Sequence, residues 1–336
     1  MDVRSGLFRD RWLLDRAQYR PGQQTGHYES FYQRANHPER PLAFWIRYTM
    51  FAPDHNPGAA IGELWAVAFD GETGQHTVAK EEFPIADCDF DRDTFAVRVG
   101  SNRLGPGTLV GSAGAIAWEF EYDGDEPPVL LLPPKMYAGG FPKAKSLVPM
   151  PLARYRGYYT VAGRRIDVDD WIGSQNHNWG SQHTHRYAFG QVAGFDGAPD
   201  TFLEVATVQA RVAGPIMTPE LTTLVLRHDG GDYALVSARR AWRAKARYGY
   251  FHWDFATGDE RVRISGRIGA DRDAFVGLRY NNPPGGVKHC LNTKIGAAEL
   301  TIRNRESGRT ESLRTSNRAL FEILTDDTEH GVPLRA

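Results

Sequence analysis

From Leu42 to Asn304 the chain keeps returning to one pattern. A short run rich in aromatic and β-branched residues is cut by Gly, Pro, Asp or Asn before it reaches helix length. "LAFWIRYTMF" (42–51) is followed by "DHNPGAA", then by "IGELWAVAFD" (61–70) and "GETG". Two such runs around a medium loop predict a β-hairpin. "TFAVRVG", "AIAWEFEY" and "VLLLP" extend the series to residue 132, and "YYTVAG" with "RIDVDDWIG" predicts another hairpin closing near 173. A second series opens with "YAFGQVAGF" (187–195) and "TFLEVATVQAR" (201–211) and runs on through "TKIGAAELTIRN". Only 6–18 and 238–248 read as helices. A chain written this way is all-β, built of antiparallel strands.

At 336 residues the chain is longer than one core usually serves, so two domains are expected. The halves echo each other. Each opens with an aromatic-rich strand, passes a Gly/Asp/Pro loop and enters a strand with a Glu near its start, Glu63 in one half and Glu204 in the other. The junction falls near "QNHNWGSQHTH", giving domains 1–180 and 181–336, each a closed barrel or strongly curled sheet.

A net charge of −1 with 24% charged residues gives no reason to expect nucleic acid as a partner. No apolar run approaches the ~20 residues of a membrane-spanning helix. A weak contact with a membrane surface stays open at the basic 238–248 segment. The first residues lack the apolar core of a secretory signal, and two distant cysteines read as free thiols, so a cytoplasmic protein is expected.

Three places carry candidate chemistry. In "TFLEVATVQ", Phe202, Glu204, Ala206 and Val208 share one strand face, and both faces are largely apolar, so Glu204 points into something buried. Such a carboxyl either pairs with an Arg or stays protonated and becomes a general acid. Glu29, Glu63 and Arg47 read as a structural ion network inside the first barrel. In "QNHNWG" (175–180), His177 and Trp179 point to one side if the segment is extended, where an indole face can hold a developing cation. The alternative is an ordered loop that satisfies its own amides. The HxxxxxHxH spacing of His177, His183 and His185 matches no standard zinc pattern, and no GxGxxG, Walker A or GxSxG motif is present. No metal and no organic cofactor is expected. His289 and Cys290 are adjacent in a strand and so face opposite ways. "YNNPPGGVKHC" (280–290) reads as a long turn at a pocket mouth.

The order "GHYESFYQRANHPERPLAFWIRY", "GFPKAKSLVPMPLARY", "GSQNHNWGSQHTHRYAFGQVAGFD", "FLEVAT" resembles the carotenoid 1,2-hydratase and AttH-like group over roughly residues 20–310. These are tandem lipocalin-like proteins whose relatives include Diels–Alderase-type pericyclases and, distantly, tocopherol cyclases. The resemblance implies two lipocalin-like barrels and a site built from a His-x-Trp pair and an aromatic-x-acid pair. His177–Asn178–Trp179 and Phe202–Leu203–Glu204 match these elements. The hydratases carry Tyr and Asp where this chain has Phe202 and Glu204. The implied activity is cofactor-independent, acid-promoted hydration, cyclisation or isomerisation of an apolar terpenoid or polyene. Glu204 would donate the proton, linked to His177, with Trp179 and Tyr187 facing the cation. Phe189, Gln191, Phe202 and Asn178 complete the candidate substrate-binding set. The alternatives are a carrier of an apolar ligand and a pericyclase that only shapes its substrate.

Overall fold

The computed structural model describes residues 14–213 and 216–336. The first set of strands is β1 (His27–Asn36), β2 (Leu42–Ala52), β3 (Ile61–Asp70), β4 (Thr77–Pro84), β5 (Cys88–Phe90), β6 (Val97–Val99), β7 (Asn102–Gly105), β8 (Thr108–Ala113), β9 (Ile116–Asp123), β10 (Val129–Leu130), β11 (Ala144–Val161) and β12 (Arg164–Gly180). They form one antiparallel sheet in the order β4-β3-β2-β1-β12-β11-β9-β8-β7-β6-β5, with β10 on β11. β3 and β4, at one end of this path, come against β6 and β8 near the other, so the sheet curls into a barrel.

The second set is β13 (Arg186–Phe195), β14 (Ala198–Gln209), β15 (Arg211–Ala213), β16 (Ile216–Met217), β17 (Leu221–His228), β18 (Gly231–Leu235), β19 (Lys245–Tyr248), β20 (His252–Gly258), β21 (Val262–Gly269), β22 (Val276–Asn281), β23 (Val287–Asn304) and β24 (Thr310–Thr325). Its main sheet runs β18-β17-β14-β13-β24-β23-β21-β20-β19, with β22 on β23, while β15 and β16 pair with each other. A short helix, α1 (Ala238–Arg243), packs on β17 and β20.

Strand alternation explains where the cores sit. β9 buries every second residue, as a strand with one wet face should. β1 buries all of its residues, because one face lines its own barrel and the other packs against the second sheet. Phe31, Phe44, Trp118 and Tyr155 fill the first barrel, and Leu203, Val205, Trp253 and Phe255 fill the second. Between the barrels, Tyr32, Trp45 and Trp65 meet Leu278, Tyr280 and Leu324 in one cluster, and Leu131 and Ile172 meet Phe202 and Ala206 in another. Gly173 shows how tight β12 is: a Cβ there would lie 1.8 Å from the Arg34 carbonyl oxygen, so no side chain fits.

The hairpins expected around 42–70 and up to 173 form as β2–β3 and β11–β12, the latter longer than the sequence suggests. The helix expected over 238–248 stops at Arg243, because Lys245–Tyr248 pair with β20 instead. The helix expected at 6–18 lies mostly outside the described residues. "QNHNWG" is the end of strand β12 rather than a loop. Cys88 and Cys290 are free thiols. No described helix is long and apolar enough to cross a membrane.

Candidate active site

β12 sorts its side chains onto two sides. Gln175, His177 and Trp179 enter the first barrel, while Ser174, Asn176 and Asn178 face the second sheet. His177 is fully buried and stacks on Phe31, with ring centroids 4.3 Å apart. Its Nε2 donates to Glu29 Oε1 at 2.7 Å, and its Nδ1 donates to the Leu14 carbonyl at 2.8 Å. Each ring nitrogen faces an oxygen acceptor. Glu29 also takes hydrogen bonds from His27 and from the backbone N–H groups of Gln18 and Tyr19. Burial would raise this carboxyl, but the hydrogen bonds from His177 and His27 outweigh it and hold Glu29 at about 2.

Glu204 sits elsewhere. It is fully buried on β14, on the face turned to the first barrel, where Phe202 and Ala206 pack with Leu131 and Ile172. Gln191 lies directly across from it on β13. Gln191 is itself committed to the seam between the sheets: its Oε1 accepts from Arg34 Nε at 3.0 Å and Ser174 Oγ at 2.6 Å, and its Nε2 donates to Asn176 at 2.9 Å. Among the described residues, neither Glu204 oxygen has a partner at ordinary hydrogen-bond geometry. Burial therefore pushes the carboxyl up to about 8, against the weaker opposing pulls of Gln191 and Arg34. The Arg pairing open to a buried Glu at this position is not formed among the described residues, and burial favours the neutral carboxyl.

That proton has a measurable consequence. Between 4.5, the ordinary value, and about 8, the folded chain keeps a proton that the unfolded chain has released. Stability therefore falls as pH rises through this window, by up to about 1.4 kcal/mol per pH unit, and levels above it. Thermal unfolding of wild type and Glu204→Gln at a series of pH values reads this directly. The difference should move in favour of the variant as pH rises to about 8. A difference independent of pH would mean that the carboxyl is ionised throughout.

A cavity of about 310 Å³ lies between the barrels. Tyr28, Tyr32, Trp45 and Arg47 form one wall, and Tyr187, Phe189 and Tyr280 the other. Asn178 reaches it from β12, and among the described residues its Oδ1 has no hydrogen-bond partner. His183 stacks on Tyr28 at 4.0 Å; burial, then the charge of Arg47, depress its ring to about 3. Ala206 and Val208 of β14 are in the wall, and Glu204 is one same-face row deeper, ~7 Å along the strand. A larger open groove of about 1250 Å³ runs past Trp179, Tyr137 and Arg227 at the barrel ends.

The structure thus brings together Asn178, Tyr187 and Phe189 around the pocket, with Gln191, Phe202 and Glu204 behind it. It does not bring His177 and Trp179 to them. The expected His177–Glu204 link is absent, because alternation along β12 sends His177 into the first barrel, where Glu29 takes it. Trp179 lines the outer groove instead. The expected ion network also divides. Glu29 is inside the barrel, whereas Glu63 bonds Lys80 at 2.9 Å and Asn281 at 3.0 Å on the far face. Arg47 lies on that same face, against Tyr280. Neither Glu63 nor Glu204 is in the pocket wall. Of the HxxxxxHxH run, His183 and His185 line the pocket, whereas His177 lies in the first barrel on Glu29. Tyr280, the first residue of the stretch expected at a pocket mouth, is in the wall, whereas Tyr28, Tyr32 and Glu322 are pocket residues that the sequence reading did not select. Their only sequence signal is that each sits on a strand face opposite the one filling its own barrel.

With both sheets, their curl and the layer between them in view, the architecture is that of two tandem lipocalin-like antiparallel β-barrels. Three solved structures share it. A putative AttH from Nitrosomonas europaea aligns at 11% identity over 89% of this chain and 92% of that one, with a TM-score of 0.56. Kievitone hydratase from Nectria haematococca aligns at 12% identity over 91% of each chain, with a TM-score of 0.57. CghA aligns at 13% identity over 94% of this chain and 96% of that one, with a TM-score of 0.56. No protein-family model and no curated protein sequence matches the chain.

Proposed function

We propose that the protein is a cofactor-independent enzyme that holds an apolar polyene or terpenoid-type molecule between its two barrels, read as units 1–180 and 181–336. It acts on a carbon–carbon double bond by proton donation from Glu204. The observation that carries this reading is a carboxyl that is fully buried, has no ion-pair partner among the described residues and is pushed up to about 8, one row behind an aromatic-walled cavity. Protonating an unactivated alkene needs an acid kept out of water and a cation kept from it, and both conditions favour this layer.

The Glu204 O–H bond breaks as its proton forms a bond to one alkene carbon, leaving a cation on the other. The faces of Tyr187 and Phe189 stabilise that cation. The Arg34 guanidinium stabilises the carboxylate left behind. Water then adds and returns a proton to Glu204, giving hydration. Alternatively a second double bond attacks the cation and a C–H proton returns, giving cyclisation, or a C–H proton returns directly, giving isomerisation. A kievitone hydratase of the same fold supports the first outcome.

The second reading is a carrier of the same class of ligand. It is favoured by the fact that Glu204 itself is not in the pocket wall. Incubation of the protein with an apolar extract of the cells that make it, followed by liquid chromatography–mass spectrometry, separates the two. An enzyme converts one component into a species heavier by one water or shifted in retention at constant mass. A carrier returns every component unchanged.

A further inference from the structure

The pocket carries a charge that the proposed chemistry does not use. Arg47 is only 5% exposed and lines the cavity, with its guanidinium carbon 4.4 Å from the centre of the Tyr280 ring. One terminal nitrogen donates to Ser30 Oγ at 2.6 Å, and Nε has no hydrogen-bond partner among the described residues. Among the described residues no carboxylate lies within 4.0 Å of it. The acids on neighbouring strands are taken by other cations: Glu63 by Lys80 at 2.9 Å and Glu322 by Lys294 at 2.9 Å. Glu204, the remaining acid of this layer, keeps its proton. Glu63 and Glu322 therefore act on the guanidinium only from beyond contact distance, and a buried guanidinium with no carboxylate in contact, facing an aromatic cavity, is a ready seat for an anion.

We infer that the substrate carries a carboxylate, seated on Arg47, with its apolar body running along Tyr187 and Phe189 towards Glu204. Arg47 then fixes which double bond comes nearest the acid. The tyrosine hydroxyls can donate to the head group but carry no positive charge, and the other cations of the wall, Lys143 and Lys145, donate to Gln182 Oε1 and to the Pro142 carbonyl. The inference rests on the pocket between the barrels being the substrate site, as proposed above.

The test uses cis-parinaric acid, a polyene whose fluorescence rises in apolar surroundings, and its methyl ester, which has the same body without the charge. Wild type should bind the acid at least about tenfold more tightly than the ester, the scale of one charge-assisted contact in a dry site. Arg47→Met should bring the acid down to the affinity of the ester and leave the ester unchanged, while Arg47→Lys should keep part of the preference. Equal affinities in wild type overturn the inference and leave the apolar pocket standing. Equal loss of both ligands in Arg47→Met overturns it by making Arg47 structural. Binding of neither ligand overturns the inference together with the pocket reading. The wild-type comparison decides even if Arg47→Met does not fold.

Discussion

Replacing Glu204 by Gln lowers turnover by about a hundredfold to ten-thousandfold and leaves ligand affinity within about twofold, the range expected when a general acid is removed. The argument is geometric before it is electrostatic. Glu204 is buried among Phe202, Ala206 and Leu131, one row behind the wall, so only the reacting end of a ligand that reaches past Ala206 meets it, and its loss strips little of the binding contact. Gln keeps the volume and the neutral state that the native carboxyl already has at pH 7, but it cannot deliver a proton. Single-turnover kinetics with equilibrium binding checks this. Equal loss of affinity and rate would make Glu204 a packing residue, and no loss of either would favour a carrier.

The largest effect on stability is expected at the other buried carboxylate. Glu29→Ala removes the partner of His177, of His27 and of two backbone N–H groups at once. Breaking a buried pair from one side costs about 3–5 kcal/mol, because the remaining charge is left without compensation. The pH dependence has the opposite sign to that of Glu204. Glu29 is held at about 2 against an ordinary 4.5, so its contribution is complete above 4.5 and is lost as pH falls towards 2. The sum over that window is about 3 kcal/mol. Urea titrations of wild type and Glu29→Gln from neutral to acid pH measure it. The wild type should lose the larger share, and parallel curves would remove the His177–Glu29 pair from the account.

These two residues also show what the sequence could reveal. Alternation in "TFLEVATVQ" places Glu204 in an apolar surround, and the structure agrees. Alternation also puts His177 and Trp179 on one side of an extended segment, and they are on one side of β12. Alternation cannot say which side meets which sheet, because that depends on how two barrels dock. The pairing of His177 with Glu29 joins residues 148 apart in sequence, and that of Arg34 with Gln191 joins residues 157 apart. The pocket draws on β1, β2, β11, β12, β13, β14, β17, β22 and β24, so no local motif could outline it. Arg47 reads as one more strand residue until Lys80 and Lys294 are seen to occupy the nearby acids. The shortened helix at Ala238–Arg243 has the same cause: pairing of Lys245–Tyr248 with β20 outweighs the helix preference of an Ala- and Arg-rich run.

The central claim is that Glu204 delivers a proton to carbon, and isotope transfer tests it most directly. Wild type and Glu204→Gln are incubated in deuterium oxide with the apolar extract, and the products are read by mass spectrometry and fragmentation. Proton donation predicts a product of the wild type carrying one solvent-derived deuterium on carbon, and no such product from the variant. A product without carbon-bound deuterium, formed equally by both proteins, would contradict the claim and leave a pocket that only shapes its ligand.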